Sequence, residues 1–414
     1  MENKIPLVTV VVLAYNHLDY TRLCIESLYK YTQDVDFELI TINNGSTDGT
    51  EEYFNSLPHE KKISFETNIG VDKAINHGFR IAEGKYTLNL SNDIVVTTHW
   101  LKNLVACAES DPSIAMVVPA CSYSSNFQQV DLGYKTLEEM QVLAAAYNQS
   151  NPGLWEEKMR LVTYTCLFRT ELQKAIGGFD EDFNPGAYDD DAIGFTFRRR
   201  GMKLILAKDT FVHHFGSVTF NAEYAKNNLP VRNRDLFYRK FGVHSWPVGF
   251  IDFNVVGLAE YAACGSEPVK LLGTGGTCGA SLLQIKNGYR RTGQFHVELN
   301  YLADNPLNLP DLASVCKKSL FGLPDEVESF FPEEDFDLVV LESETDKVAE
   351  LEETCHRLGR RLKEGGRLIT TALPQTYPVI EKALFEDGFI KTGNINNYYF
   401  AFSKLAKEQA QSLH

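Results

Sequence analysis

Apolar positions in the first half of the chain follow two alternating periods. Val8 to Leu13 is an unbroken run of apolar, mostly β-branched residues, which predicts a strand buried on both faces. Tyr20, Cys24, Leu28 and Tyr31 recur at helical spacing, and Phe37 to Ile42 predicts a second strand. Val71, Ala74, Ile75, Gly78, Phe79 and Ala82 share one face of a helix. Tyr86 to Leu90 and Ala115 to Pro119 are further strands. This rhythm predicts an α/β domain built on a mainly parallel sheet.

The rhythm breaks between Ala222 and Cys264, where basic and aromatic residues mix around Pro230, and it restarts near Val269. Val269 to Leu272, Phe295 to Leu299, Asp337 to Leu341 and Arg367 to Thr371 are the next strands. Thr345 to Lys363 reads as a charged amphipathic helix stopped by Gly365-Gly366, and Tyr398 to Ser403 as a late antiparallel edge. The expected organisation is a first domain over 1–221, a helical closing segment and linker over 222–264, a smaller α/β domain over 265–405, and a tail over 406–414.

Composition narrows the class. A length of 414 residues with 44% hydrophobic and 23% charged positions fits a multi-domain globular chain. The net charge of −15 argues against nucleic acid as a partner. The eight cysteines form no C-x-x-C pair, which predicts buried thiols in a reducing compartment. The longest early apolar run falls far short of the about 20 residues that span a bilayer. A cytoplasmic protein is expected, with peripheral membrane association left open. In that setting the Asn44-Gly45-Ser46 and Asn148-Gln149-Ser150 sequons carry no meaning.

Chemistry-bearing residues cluster where the predicted strands end. Leu13-Ala14-Tyr15-Asn16 closes the first, and Asn43-Asn44-Gly45-Ser46-Thr47-Asp48-Gly49-Thr50 the second. Asn68-Ile69-Gly70 opens the helix that carries Asn76-His77-Gly78, and Leu90-Ser91-Asn92-Asp93 ends another strand. In open α/β sheets such ends form the ligand crevice. Further on come Gly177-Gly178-Phe179-Asp180-Glu181, Tyr188-Asp189-Asp190-Asp191, Arg198, Gly201 and His213-His214. In this order the motifs resemble family 2 glycosyltransferases of the GT-A fold, over roughly residues 5 to 220.

The resemblance implies a nucleoside-diphosphate sugar donor, with UDP or dTDP expected, and a divalent cation, Mn²⁺ or Mg²⁺, that neutralises the leaving diphosphate. Ser91-Asn92-Asp93 stands where the family has its DxD element, so Asp93 is the expected metal ligand. His213 or His214 is implied as the second ligand, and the sequence does not choose between them. Asp189-Asp190 falls on the family's acidic pair, which makes Asp190 the expected base. Ala14, Tyr15, Asn16, Asn43, Asn68, Gly70, Asn92 and Asp93 are the expected donor-binding residues. Asn43 replaces the usual aspartate at the nucleobase, and Ile75 stands where relatives often carry an arginine. Asp48 reads as a cap for the following turn.

In the second domain, Gly273, Gly275 and Gly279 follow a strand and open a helix, and Glu298 is expected to end the next strand. The arrangement resembles a Rossmann-like, class I S-adenosylmethionine-dependent methyltransferase, although Leu271 stands where an acidic residue is usual. The functional expectation is a metal-dependent inverting glycosyltransferase of hexosyltransferase type, acting on a hydroxyl of a glycan or glycosylated protein. A homo-oligomer is compatible with it. Two alternatives stay open: a bifunctional enzyme that also uses S-adenosylmethionine at Gly273, Gly275, Gly279 and Glu298, and a non-catalytic glycan- or nucleotide-binding module.

Overall fold

The structure, a computed structural model, describes residues 5–216, 228–261, 267–333 and 335–410. Ser217, which follows the histidine pair, residues 222–227 and 262–264 of the expected linker, and 411–414 of the tail lie outside them. The chain divides into two compact units, Met1–Ser245 and Trp246–His414. The segment expected as a separate linker is shared between them. Its helix Leu229–Phe241 lies in the first unit and Phe253–Gly257 in the second.

The strands of the first unit are β1 (Val8–Ala14), β2 (Phe37–Asn44), β3 (Lys61–Phe65), β4 (Tyr86–Ser91), β5 (Ile94–Val95), β6 (Ile114–Cys121), β7 (Trp155–Glu157), β8 (Thr165–Arg169) and β9 (Lys203–His214). They form one sheet in the order β3-β2-β1-β4-β8-β6-β9-β5, with β7 also on β9. Its helices are α1 (Leu18–Tyr31), α2 (Thr50–Ser56), α3 (Val71–Ile81), α4 (Trp100–Glu109), α5 (Leu137–Tyr147), α6 (Thr170–Ile176), α7 (Asp189–Arg198) and α8 (Leu229–Phe241). Strands β1 to β4 run parallel, and so do β6 and β9. Strand β8 enters antiparallel between β4 and β6, so the sheet is mixed and not mainly parallel.

Strand β1 is central. Val8, Val10, Val11 and Val12 are fully buried, as their apolar run requires when both sheet faces are covered. Its register sets Ala14 level with Asn43 of β2, and Leu13 level with Ser91 of β4. Three polar strand ends therefore share one edge of the sheet. Helix α3 buries Ala74, Ile75, Gly78 and Phe79, the stripe its spacing foretold. Ile75 is core, so it offers nothing to a ligand in place of an arginine.

The strands of the second unit are β10 (Val269–Gly275), β11 (Val297–Ala303), β12 (Lys318–Phe321), β13 (Phe336–Leu341), β14 (Leu362–Thr371), β15 (Phe389–Ile395) and β16 (Tyr399–Lys404). Their order is β12-β11-β10-β13-β14-β16-β15, with β16 antiparallel to both neighbours. Strand β16 therefore lies inside the sheet and not at its edge. The charged helix spans only Leu351–Arg360. Gly365-Gly366 lies within β14 and does not stop the helix, because Leu362 has already paired with Phe336. No helix among the described residues is long and apolar enough to cross a membrane. No disulfide forms among the described cysteines, and all of these but Cys316 are buried.

Both sequon asparagines are 2% exposed. Asn148 donates to Thr97 Oγ1 at 2.9 Å and Thr98 O at 2.8 Å, and accepts from Phe211 N–H at 2.8 Å. Replacing it strands a buried donor and acceptor, which costs about 1–3 kcal/mol for each group left unsatisfied. Asn148→Ala should therefore lower the denaturant midpoint of the first unit by an amount equivalent to about 2–4 kcal/mol. An unchanged midpoint in guanidinium unfolding would contradict this bonding pattern.

Candidate active site

Side chains at the carboxyl edge of the first unit are tied to one another before any ligand arrives. Asn16 adopts a left-handed conformation (φ 56°), which turns the chain from β1 toward α1. Its N–H donates to Ser46 Oγ at 2.8 Å, and its Oδ1 accepts from Thr47 N–H at 2.9 Å. Ala14 is buried and Tyr15 half-buried beside it. Asn43 is 2% exposed; its Oδ1 accepts from Ser46 N–H at 3.0 Å and its amide donates to Ser64 Oγ at 3.0 Å. The side chain expected at the nucleobase thus spends its carbonyl on the loop and its amide on β3. Asp48 accepts from Leu18 N–H at 2.9 Å and Thr50 N–H at 3.2 Å, so it caps the turn as expected.

Asn68 Oδ1 accepts from Asn44 Nδ2 at 3.0 Å and from Gly70 N–H at 2.8 Å. Gly70 has φ 89°, and a Cβ there would meet the Asn184 side chain at 2.1–2.4 Å. Glycine is required because Asn184 lies across it and donates to Ile69 O at 2.9 Å. Asn68 and Gly70 shape this loop. Asn92 turns inward and donates to Thr21 Oγ1 of α1 at 2.9 Å.

The structure separates the two histidines. The short strand β5 pairs Ile94 with His214 and Val95 with His213. Successive side chains on a strand face opposite ways, so only one ring meets Asp93. That ring is His214, whose Nε2 lies 3.2 Å from Asp93 Oδ2, with side-chain exposures of 12% and 14%. Its Nδ1–H donates to Tyr123 O at 2.7 Å, and Tyr164 stacks on it at 5.3 Å. Burial opposes its positive charge, but Asp93 prevails and raises its pKa to about 10. His213 turns to the other face, where its Nδ1 takes Tyr134 Oη at 2.6 Å and Ser122 Oγ at 3.1 Å. Burial pushes His213 down to about 4. Of the two expected rings, the structure brings His214 to Asp93 and turns His213 away from it. An imidazole whose Nδ1 is anchored to a carbonyl and whose Nε2 faces a carboxylate fits a divalent cation.

The acidic triplet opens α7, and the loop before it is fastened from α8. Asn233 Nδ2 donates to Phe183 O, Gly186 O and Ala187 O at 2.7–3.0 Å. Asp190 accepts from Thr163 N–H at 3.2 Å and from Thr163 Oγ1. Burial first, and Asp189 second, hold its pKa well above the usual carboxylate range. Asp191 is spent in a bidentate pair with Arg160 at 2.8 and 3.0 Å. Arg198 is 1% exposed, with its guanidinium over Phe195, so it cannot reach a phosphate. Thr163-Tyr164 thus serves two centres, and Asn89 Nδ2 and Ser91 N–H donate to its carbonyls at 3.0 Å. No motif in the sequence pointed to this dipeptide.

In the second unit β10 ends at Gly275, and side chains from β11 and from the segment after β13 meet beside it. The Tyr301 ring lies over Gly273, where a Cβ would approach it to 2.4 Å. Tyr301 Oη donates to Glu342 at 2.5 Å, and Thr277 Oγ1 donates to the same carboxylate at 2.7 Å. Gly279 precedes the helix Ala280–Arg291, as expected. Glu298 is misplaced in the sequence reading. Strand β11 runs on to Ala303, which leaves Glu298 near its amino end, paired with Lys317 at 2.8 Å. The acidic residue at the carboxyl end is Asp304, whose N–H meets Gly275 O at 3.3 Å. The signal was available, since the apolar run continues through Tyr301-Leu302-Ala303.

Residues 9–171 match the family model described as Glycosyl transferase family 2. Over 234 residues the chain is 24% identical to a validoxylamine A glucosyltransferase of Streptomyces hygroscopicus subsp. jinggangensis, covering 50% of this chain and 55% of that protein. It is 35% identical over 239 residues to a chondroitin synthase of Pasteurella multocida, covering 56% of this chain and 22% of that one. A solved mannosyltransferase from Pyrobaculum calidifontis, in complex with GDP-Man and Mn²⁺, aligns over 58% of this chain and 66% of that chain, with 20% identity and a TM-score of 0.41. The chain spans about half the length of the first of these curated relatives and about a fifth of the second.

The Thr163 hydroxyl lowers the Asp190 pKa against the effect of burial. Thr163→Val removes that donor and should move the Asp190 titration to higher pH. Carboxyl-carbon NMR on labelled aspartates would show it, and a shift to lower pH would contradict the bond.

Proposed function

We propose that the first unit transfers a sugar from a nucleoside-diphosphate donor to a hydroxyl of a glycan or glycosylated protein, with inversion and with the help of a divalent cation. The family match over residues 9–171 supports the reaction class. The observation that carries the site is the pairing of Asp93 with His214 on the edge that also holds Asp190. Asp93 and His214 are the residues that would hold the cation, which when bound supplies charge neutralisation to the leaving diphosphate. UDP and dTDP are the donors to try first.

In this reading Asp190 accepts the proton of the acceptor hydroxyl. The new bond forms between that oxygen and the anomeric carbon as the bond from that carbon to the diphosphate oxygen breaks. The electron pair leaves with the nucleoside diphosphate. A carboxylate held above its usual pKa by burial is a stronger base than one in water. Asn16, Asn43, Asn68 and Gly70 serve by fixing the loops around the donor, and Ala14 and Tyr15 line the same edge.

We further infer that the second unit is a methyltransferase-like frame without turnover. The sheet order with β16 reversed supports the frame. The Tyr301–Glu342–Thr277 cluster in the crevice favours this over the bifunctional reading. Calorimetry with S-adenosylmethionine should then give no binding heat; saturable binding would restore the bifunctional enzyme.

Asp190→Asn should slow transfer by roughly 100- to 10,000-fold while donor binding persists. His214→Ala should weaken Mn²⁺-dependent diphosphate binding by roughly tenfold or more, whereas His213→Gln should not. Calorimetric titration of UDP, dTDP and GDP with and without Mn²⁺ measures both histidine effects. Metal-independent binding, or equal losses in the two variants, would sink the assignment.

A further inference from the structure

Strand β6 ends on the same edge as β1, β2 and β4, because two reversals through β8 restore its direction. The segment that follows it, 122–129, is fastened toward both centres of the candidate site. At one end Ser122 Oγ accepts from His214 N–H at 2.9 Å, and Tyr123 O accepts from His214 Nδ1–H at 2.7 Å. At the other end Gln128 is fully buried. Its amide donates to Val162 O at 3.0 Å, and its carbonyl accepts from Val162 N–H at 2.7 Å. Val162 precedes Thr163, the residue that grips Asp190. Asn126 Nδ2 adds a bond to Arg160 O.

Between these anchors the segment exposes two rings, Tyr123 at 56% and Phe127 at 54%. The Tyr123 ring stands 6.2 Å from the His214 ring, edge to face. It also lies against Gly216, where a Cβ would meet it at 2.4 Å. Phe127 sits in a tight turn, in which Gln128 N–H donates to Ser125 O at 3.3 Å and both central residues, Asn126 and Phe127, have φ 58°. Asparagine tolerates that region, and glycine is the favoured second residue of such a turn. A bulky side chain there strains the backbone. Burial does not offset the strain, since about half of Phe127 is open to solvent. The ring therefore stands at a place where glycine would cost less, and it is presented outward.

We propose that Tyr123 and Phe127 form an acceptor subsite of the first unit, on which pyranose rings of a glycan stack. This rests on the reading of that unit as a glycosyltransferase. A pyranose carries hydroxyls at its rim and C–H groups on its faces, and such a face fits the electron-rich face of an aromatic ring. The segment Ser122-Tyr123-Ser124-Ser125-Asn126-Phe127-Gln128-Gln129 holds no charged residue, which suits a neutral, hydroxyl-rich ligand and not an anionic one. Its place in the sheet favours the acceptor over the donor. The loops that would surround the donor follow β1 and β2 and precede α3, whereas β6 is separated from that side by β4 and β8.

Saturation-transfer NMR on the full chain with UDP and Mg²⁺ tests the subsite. The probes are the methyl glycosides of glucose, galactose and N-acetylglucosamine, with cellobiose, lactose and chitobiose. Saturating the aromatic protons should pass signal to C–H protons on one face of at least one probe. Tyr123→Ala and Phe127→Gly should each weaken that probe by roughly three- to tenfold, and Tyr123→Phe should not. Phe127→Gly suits the left-handed backbone, so its thermal midpoint should not fall below the wild type, which separates loss of the ring from loss of the fold. Equal probe binding in the wild type and both ring-deleting variants would overturn the subsite. So would a wild type that binds UDP with Mn²⁺ calorimetrically yet passes no saturation to any probe. Probes that stack on the two rings in a chain that binds no nucleoside diphosphate would instead remove the transferase reading and leave the sugar site standing.

Discussion

The pairing of Ile94-Val95 with His214-His213 is the constraint on which the first unit's chemistry depends. Two residues of strand suffice because each partner is held elsewhere. The segment after β4 is fixed by Asn92 on α1, and the end of β9 by Ser122, whose hydroxyl meets both His213 and His214. A shift of one residue would exchange the two rings. His213, which burial keeps neutral, would face Asp93, and the ring that Asp93 charges would be driven among Tyr134, Phe211 and Phe215. The register is specified because one of its faces is packed and the other is polar.

Buried runs made much of the fold legible. The strands β1, β2 and β10 and the helix α3 lie where the apolar pattern placed them, since each meets the core along its whole length. The pattern failed where tertiary pairing decides. Strands β5 and β7 are too short to carry a period. The reversed entry of β8 has no local cause in its own five residues. Glu298 was misjudged because the strand is longer than its first apolar stretch, and the residue at the true end is Asp304.

The site divides in the same way. Motif order led to Asp93, to the histidine pair and to the acidic triplet, because those residue types are rare at strand ends without a task. It did not tell His213 from His214, since adjacent residues look alike until a neighbouring strand gives each a face. Nor did it show that Asn43 is occupied by Ser46 of its own loop and by Ser64 of β3. These depend on contacts between segments distant in the chain, which spacing does not encode. The second unit shows the converse. Its glycine turn is as the pattern predicted, but an aromatic ring from the adjacent strand lies over Gly273 before the turn begins.

Thr163 and Tyr164 carry a consequence of their own. One hydroxyl grips Asp190, and the next ring lies flat on His214, so a single peptide unit acts as a caliper between the two centres. Both jaws are fixed to the same bar, because Asn89 and Ser91 of β4 hold the carbonyls of this dipeptide. A single inserted residue here would turn one jaw toward the opposite face, and both settings would be lost together.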